Sequence, residues 1–335
     1  MMGDCKKKWF KTILRILLGL FFVSTAVMKL ISLDNFEIYI FTFKIFSFNF
    51  AALMARAIIA AEFVLGVFLI AKIFYKQTWW LTLLMLIGFT GLLLYTAIFR
   101  NDDNCHCFGD LLSLNPTWSI LKNLVTIGLL FLVKNEEDYR FKAKTFVIIL
   151  TFAVALIVPF VLLTPDALYR KIYTQSGASF DEELFRKSLA DSSLYYTLYD
   201  IRRMELNEND TVTFSSKDTA ADFLSGRRVV GVLSAGCTYC KASTTKLHTV
   251  FDRHHLDESQ LQILVWGTEG SISRFIETTH TEKANFRMIS PFLAVDLVAG
   301  QFPTFILMED GKAVEVWDYR AVNENELVEF LTAEP

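Results

Sequence analysis

The chain is 335 residues long, 53% hydrophobic and 14% aromatic, and its 33 Lys and Arg against 36 Asp and Glu leave a net charge of −3. That length allows more than one domain, and without a basic face or stripe a nucleic-acid binder is excluded. Polarity is divided unevenly: the mostly apolar part before residue 165 is near +6, whereas residues 165 onward carry 17 basic and 26 acidic side chains, near −9.

Five stretches are apolar enough to cross a hydrocarbon core of roughly 30 Å, which needs about 20 residues of helix. They lie at about 12 to 32, 50 to 71, 79 to 99, 117 to 133 and 145 to 163. The first is expected to stay in the membrane, because its apolar run is long for a signal peptide and no small-residue cleavage site precedes Asp34. Basic residues resist translocation. They gather before and within helix 1 (Lys6, Lys7, Lys8, Lys11, Arg15), between helices 2 and 3 (Lys72, Lys76) and between helices 4 and 5 (Lys134, Arg140, Lys142, Lys144). The other two loops hold little beyond Lys44 and Arg100. The expected topology is therefore a multi-pass protein of a bacterial inner membrane, N-terminus cytoplasmic, with an acidic periplasmic domain on the fifth helix. Trp79, Trp80 and Trp118 are expected to anchor helix ends at the interface.

This topology puts Asn104, Cys105, His106, Cys107, Phe108 and Gly109 in an outer loop, on the side that also receives Cys237 and Cys240. Disulfides persist in an oxidising compartment and not in the cytosol. Cys5, on the cytoplasmic side without a local partner, reads as an incidental thiol. A Cys-x-Cys disulfide closes a small, strained ring and exchanges readily. Three roles for Cys105 and Cys107 compete: a redox relay with the outer domain, a static disulfide, or a metal or haem-type site including His106.

The polar half reads strand by strand. The apolar run Val229 to Leu233 leads through Ser234, Ala235 and Gly236 into Cys237, Thr238, Tyr239 and Cys240, and helical spacing follows to about Phe251. Leu261 to Trp266 is a second buried strand and Ser271 to Thr279 a helix. Phe302, Pro303 and Thr304 lead into a strand at Phe305 to Met308, Asp310 and Gly311 turn it into Ala313 to Trp317, and a helix closes over Asn325 to Leu331. A cysteine at a helix N-terminus has a stabilised thiolate. Cys237 is thus the expected attacking thiol and Cys240, one turn on, the resolving one. The alternatives for the pair are a structural disulfide or half a zinc site, for which His248, His254 and His255 lack suitable spacing. Residues 165–227, with helical spacing around Leu184 to Tyr199, read as an elaboration that spaces or caps this domain.

Residues 228 to 333 resemble a thioredoxin-fold domain. The resemblance implies that Pro303 is a cis proline beside the Cys-x-x-Cys pair, and that Phe302, Pro303, Thr238 and Tyr239 position a substrate. Gly236 stands where many thioredoxins carry tryptophan, and the spacer is Thr238 and Tyr239, so the redox potential does not follow from the motif. A second resemblance covers about residues 10 to 133: Arg15 to Leu30 with Gly19, Phe22, Ser24 and Lys29, then Arg56 and Glu62, then the Cys105 to Gly109 loop, look like the DoxX-like membrane family and particularly its MauE branch. It implies a four-helix bundle associated with thiol or sulfur redox chemistry and with maturation of an extracytoplasmic enzyme.

Glu62 is costly in lipid and is expected to face the bundle interior. Arg56, six residues and nearly two turns away, is an imperfect helix-mate for it, while Lys29 lies nearer the outer surface. A buried structural ion pair competes with a proton- or quinone-contact role.

The expected architecture is a DoxX-like α-helical membrane bundle at 1–135, a fifth transmembrane helix and tether at 136–164, the elaboration at 165–227 and an α/β thioredoxin-like domain at 228–335. The expected function is thiol–disulfide exchange between Cys237/Cys240 and extracytoplasmic protein thiols, with Cys105/Cys107 as relay. The membrane helices carry no cysteine, so reducing equivalents would enter or leave at the outer face, through a thiol partner or a quinone in the lipid bilayer. Two other classes compete: a non-catalytic anchor or assembly factor, and a metal- or haem-handling protein.

Overall fold

The computed structural model describes residues 2–100, 116–134, 138–139, 142–172, 178–190, 202–206, 212–216 and 223–333. The chain forms two compact units, one of Met1–Ile40 with Phe50–Thr164 and one of Phe41–Asn49 with Pro165–Pro335.

The first unit is helical. Its elements are α1 (Met2–Ile31), α2 (Leu33–Phe41), α3 (Phe48–Ala71), α4 (Tyr75–Tyr95) running into a π-helical turn (Thr96–Arg100), α5 (Pro116–Leu132) and α6 (Lys144–Leu162). Lys8–Ile31, Phe48–Ala71, Tyr75–Arg100 and Lys144–Leu162 are long and apolar enough to cross a membrane, and Thr117–Leu132 is a shorter apolar helix. Their outer faces leave large apolar side chains such as Leu84, Ile149 and Val161 bare. In water such a surface would associate, but in lipid it is the solvated one. Inside, Leu14, Leu18, Phe22, Trp79, Leu83, Leu86, Leu130 and Val133 pack together. Trp79 departs from the interfacial expectation: it is 2% exposed and its indole N–H donates to the Leu130 carbonyl at 2.9 Å. A tryptophan with an internal acceptor can be fully buried. Trp80 and Trp118 are exposed.

Close approach of α1 and α3 rests on two glycines. A Cβ at Gly19 would come within 2.7 Å of the Gly66 carbonyl, and one at Gly66 within 2.8 Å of the Gly19 carbonyl. Small residues permit this contact where lipid supplies no hydrophobic drive. Hydroxyls in the helices donate to their own backbone, Thr82 to Thr78, Thr126 to Lys122 and Thr151 to Val147. That satisfies groups which hydrocarbon cannot.

The second unit is built on a seven-stranded sheet flanked by helices. Its elements are α7 (Asp166–Ile172), α8 (Glu182–Ala190), β1 (Arg202–Leu206), β2 (Val212–Ser216), β3 (Arg227–Ser234), α9 (Thr238–Arg253), β4 (Leu261–Trp266), α10 (Glu269–Thr279), β5 (Asn285–Met288), α11 (Pro291–Leu297), β6 (Thr304–Glu309), β7 (Lys312–Asp318) and α12 (Glu324–Thr332). The strand order is β2-β1-β5-β4-β3-β6-β7. β3 pairs parallel with β4 and β4 with β5, whereas β6 runs antiparallel to β3 and β7 to β6. A mixed sheet in this order, with a helix after each of the three parallel strands, is a thioredoxin-like α/β domain. β3 and β4 are mostly apolar over their buried stretches, Val229–Leu233 and Leu261–Val265 with Gln262 the exception, because they are central and covered on both faces.

Two elements of this domain, β5 and α11, are not apparent from the residue pattern. β5 is only four residues long and carries the charged Arg287. Residues 165–227 also contribute more than a cap: Phe185 of α8 and Phe223 enter the core with Val230, Val232, Leu264, Leu293, Leu297 and Ile306. β1 pairs with β5 and carries β2 beyond it, so the hairpin extends the sheet edge.

Candidate functional site

The Cys-x-x-Cys pair sits where β3 becomes α9. The turn is held by backbone bonds from Ala235 N–H to the Trp266 carbonyl at 3.0 Å and from Cys237 N–H to the Ser234 carbonyl at 3.1 Å. Gly267 lets the neighbouring chain come close, since a Cβ there would lie 2.9 Å from the Ala235 Cβ. Cys237 is the N-cap of α9, with φ −81° and ψ 125°, and its Sγ accepts the backbone N–H of Cys240 at 3.3 Å. Capping positions take residues whose side chain meets an orphan N–H of the first turn; a thiolate does the same with a charge.

Both cysteines are free thiols, Cys237 partly exposed and Cys240 fully buried. Cys237 is lowered to about 6. Its hydrogen bond with the Cys240 thiol acts most strongly, partial burial opposes, and the N–H groups of Cys240 and Tyr239 add to the lowering. Cys240 is pushed far up, first because it donates to the Cys237 sulfur and then by burial. Ser234 N–H meets the Cys240 sulfur at 3.5 Å. At neutral pH the pair therefore holds one thiolate and one thiol, the nucleophile outward and the proton inward.

The sheet register brings three segments to this end of the domain. Ser234 pairs with Trp266 on β4, and Val232 pairs with Thr304 on β6, so Phe302 and Pro303 fall beside the last residues of β3. The Phe302–Pro303 peptide is cis, the Phe302 and Trp266 rings are 6.3 Å apart, and Pro303 is buried. Thr238 and Tyr239 are exposed, with the Tyr239 ring 5.1 Å from that of Tyr319. A Cβ at Gly236 would meet nothing within 4 Å.

Among the histidines weighed as zinc ligands, His254 Nε2 engages Glu324 at 2.9 Å and His248 faces Glu258 at 3.8 Å. Among the described residues no cluster of three or more His, Cys, Asp or Glu is arranged for a metal ion. Cys105, His106 and Cys107 lie outside the described residues.

In the membrane unit the ion pairs differ from the sequence expectation. Glu62 pairs with Lys29 at 2.5 Å, both nearly fully buried. Arg56 pairs instead with Glu37 of α2 and donates to the carbonyls of Ala52 at 3.0 Å and Leu163 at 2.8 Å. Six residues turn a helix through about 240° beyond a full turn, so Arg56 and Glu62 leave α3 in different directions and each finds a partner on another helix. Glu37 was missed in the sequence. Its signal was a lone acid in the apolar run from Phe36 to Phe43.

Residues 7–134 match the family described as "Methylamine utilisation protein MauE", and form a MauE-type membrane domain. The chain is also similar to "Protein TlpB" of Flavobacterium psychrophilum, 28% identical over 176 residues, which cover 49% of this chain and 47% of that protein. It thus spans about half the length of this relative. The chain is a multi-pass membrane protein, and with the thiol geometry above the MauE-type domain supports a membrane-bound, redox-associated role.

Proposed function

We propose that the protein is an extracytoplasmic thiol–disulfide oxidoreductase held in the membrane by its helical unit. The observation that carries this reading is the pairing of a capping Cys237 thiolate near pKa 6 with a buried, protonated Cys240. In the reductive direction the Cys237 thiolate attacks a client disulfide, forms a mixed disulfide and releases one client thiolate. Cys240 then gives up its proton and attacks the Cys237 sulfur. The second client thiolate leaves, the client has gained two electrons, and a Cys237–Cys240 disulfide remains. Run backward, the same steps oxidise a client dithiol. Cys237 and Cys240 are the catalytic residues of this proposal, and Thr238, Tyr239, Phe302 and Pro303 are the residues it assigns to positioning a client.

The basic-residue pattern supports a cytoplasmic N-terminus and a periplasmic α/β domain, on the same side as the loop of Cys105 and Cys107. We extend the proposal to exchange between that pair and Cys237/Cys240, with a lipid-dissolved quinone as the final acceptor in the oxidative direction.

The test is trapping in native membranes. A Cys240→Ala chain is expected to accumulate reducible adducts with client proteins, because the mixed disulfide at Cys237 cannot be resolved, and a Cys237→Ala chain to form none. Equal client maturation in wild type and in both variants would overturn the oxidoreductase reading and favour an anchor or assembly role.

A further inference from the structure

Within the membrane unit, α1, the end of α3 and the residues before α6 border a recess of about 530 Å³, a volume in the range of small-ligand sites. Thr12 and Arg15 of α1, Ile70 and Ala71 of α3, Lys72 and Tyr139 line it. Thr12 and Arg15 are three residues apart and so share one face of α1. The Tyr139 N–H donates to the Lys72 carbonyl at 3.1 Å, which ties the segment before α6 to the end of α3.

Among the described residues that line the recess two are cations and none is an acid. Arg15 is 5% exposed, and its Nη1 donates to the carbonyls of Leu69 and Ile70 in the last turn of α3. A helix C-terminus carries roughly half a negative charge. These carbonyls therefore fix the guanidinium in place but only partly offset its charge, and Lys72 adds a second positive charge. Asp138, next to Tyr139 in the chain, faces elsewhere: its carboxylate takes the Tyr75 N–H at 2.6 Å and Lys144 at 3.3 Å. Over residues 1–15, 72–76 and 134–144 together, the sequence sets eleven basic residues against four acids, Asp4, Glu136, Glu137 and Asp138.

We infer that this recess binds the headgroup of an anionic phospholipid, with the phosphate between Arg15 and Lys72. The chemistry selects the class. A phosphate presents several charged oxygens to cations on different segments, and a guanidinium matches two of them at once. Thr12 and Tyr139 carry hydroxyls that suit ester and glycerol oxygens. Ile70 and Ala71 give the recess an apolar side, and Lys72 directly follows the last residue of the apolar span Phe48–Ala71. Headgroup and acyl chain meet at that depth, which favours a lipid over free phosphate. Basic pockets between membrane helices recognise lipid headgroups in this way. The inference concerns the membrane unit alone and does not depend on the thiol chemistry.

The experiment uses the purified full-length protein, stripped of lipid in a neutral detergent and titrated with dimyristoyl phosphatidylglycerol, with retained lipid counted by mass spectrometry after free lipid is removed. Saturable binding is expected, and phosphatidylcholine, whose headgroup has no net charge, should bind roughly tenfold more weakly. Lys72→Glu should weaken phosphatidylglycerol binding roughly tenfold or more. Thr12→Trp, which fills the recess and leaves its charge unchanged, should also weaken it. Lys76→Glu makes the same charge change at an exposed residue outside the recess and should leave the affinity nearly unaltered. Melting midpoints without lipid confirm that the variants are folded. Equal binding of the two lipids, equal loss in Lys72→Glu and Lys76→Glu, or unchanged binding in both folded recess variants overturns the site. Inorganic phosphate that binds as tightly as the lipid overturns the assignment to a phospholipid.

Discussion

The two units each hold a charged group away from bulk water, one nearly fully buried and one half-exposed, and they do so by different means. In the membrane unit Glu62 is 4% exposed and is answered by a full opposite charge on Lys29. In the α/β unit the Cys237 thiolate needs no counter-ion: a neighbouring thiol and backbone N–H groups of a helix start are enough. The difference follows from the solvent around each. Hydrocarbon offers no partial solvation, so a lone ion there is prohibitive. A half-exposed helix N-terminus already has unpaired donors and residual water. The first arrangement fixes a charge, whereas the second makes it reactive.

The largest effect that would break this comparison is at Cys237. Cys237→Ser is expected to abolish exchange with a model disulfide while the fold is kept, because a hydroxyl in the same cap does not ionise at neutral pH. A stopped-flow assay of dithiol release checks it. Residual exchange at the wild-type rate would mean that the thiolate lies elsewhere.

Next comes the ion pair. Glu62→Ala should destabilise the membrane unit by about 3–5 kcal/mol by leaving Lys29 charged and alone. The double variant Lys29→Met with Glu62→Leu should recover most of the loss. Denaturant unfolding in detergent micelles measures both. If single and double variants are equally unstable, the pair is not what supports these helices.

Gly19→Ala should cost about 1–3 kcal/mol, an overpacking value, since its Cβ would press on the Gly66 carbonyl at 2.7 Å. A mutation at Gly88, where a Cβ would meet nothing within 4 Å, serves as the control. Unfolding in micelles should separate the two.

The last test is a pH dependence. The folded Cys237 pKa is about 6 against an ordinary value of 9.0. Between these values the reduced folded protein binds fewer protons than the unfolded chain, so its stability rises with pH. This contribution is fully present above about 9 and is lost as pH falls through about 6. Cys240 acts oppositely: above about 9 the unfolded chain ionises it while the fold does not, and stability falls again. Melting temperatures of the reduced protein and of Cys237→Ala, compared across that range, should differ least near pH 6. Iodoacetamide labelling of Cys237 should show the same midpoint.

Much of the α/β unit was legible because its signals are local. The central strands are mostly apolar runs, the turn before Cys237 is spelled by Ser234, Ala235 and Gly236, and Cys237 stands one residue before a helical pattern. β5 and α11 escaped, being four and seven residues long and too short for periodicity to register. The hairpin of β1 and β2 escaped too, because its place at the sheet edge depends on pairing with β5, far along the chain. In the membrane unit hydropathy located the helices, but it does not say which way a polar residue points. Trp79 at a helix start looked interfacial and is core, and α2 was not recognised as a helix.

The sequence by itself determined the division into an apolar and an acidic half, the crossing helices, and a thiol pair at the start of a helix, since each depends on residues within a turn or two of one another. Only the tertiary structure decided that Glu62 meets Lys29, that Arg56 meets Glu37, and that Pro303 lies at the end of the sheet where Cys237 emerges. Those partners are 33, 19 and 66 residues apart along the chain. Contacts at such separation are set by helix rotation and strand register, which are properties of the packed whole and have no local pattern to announce them.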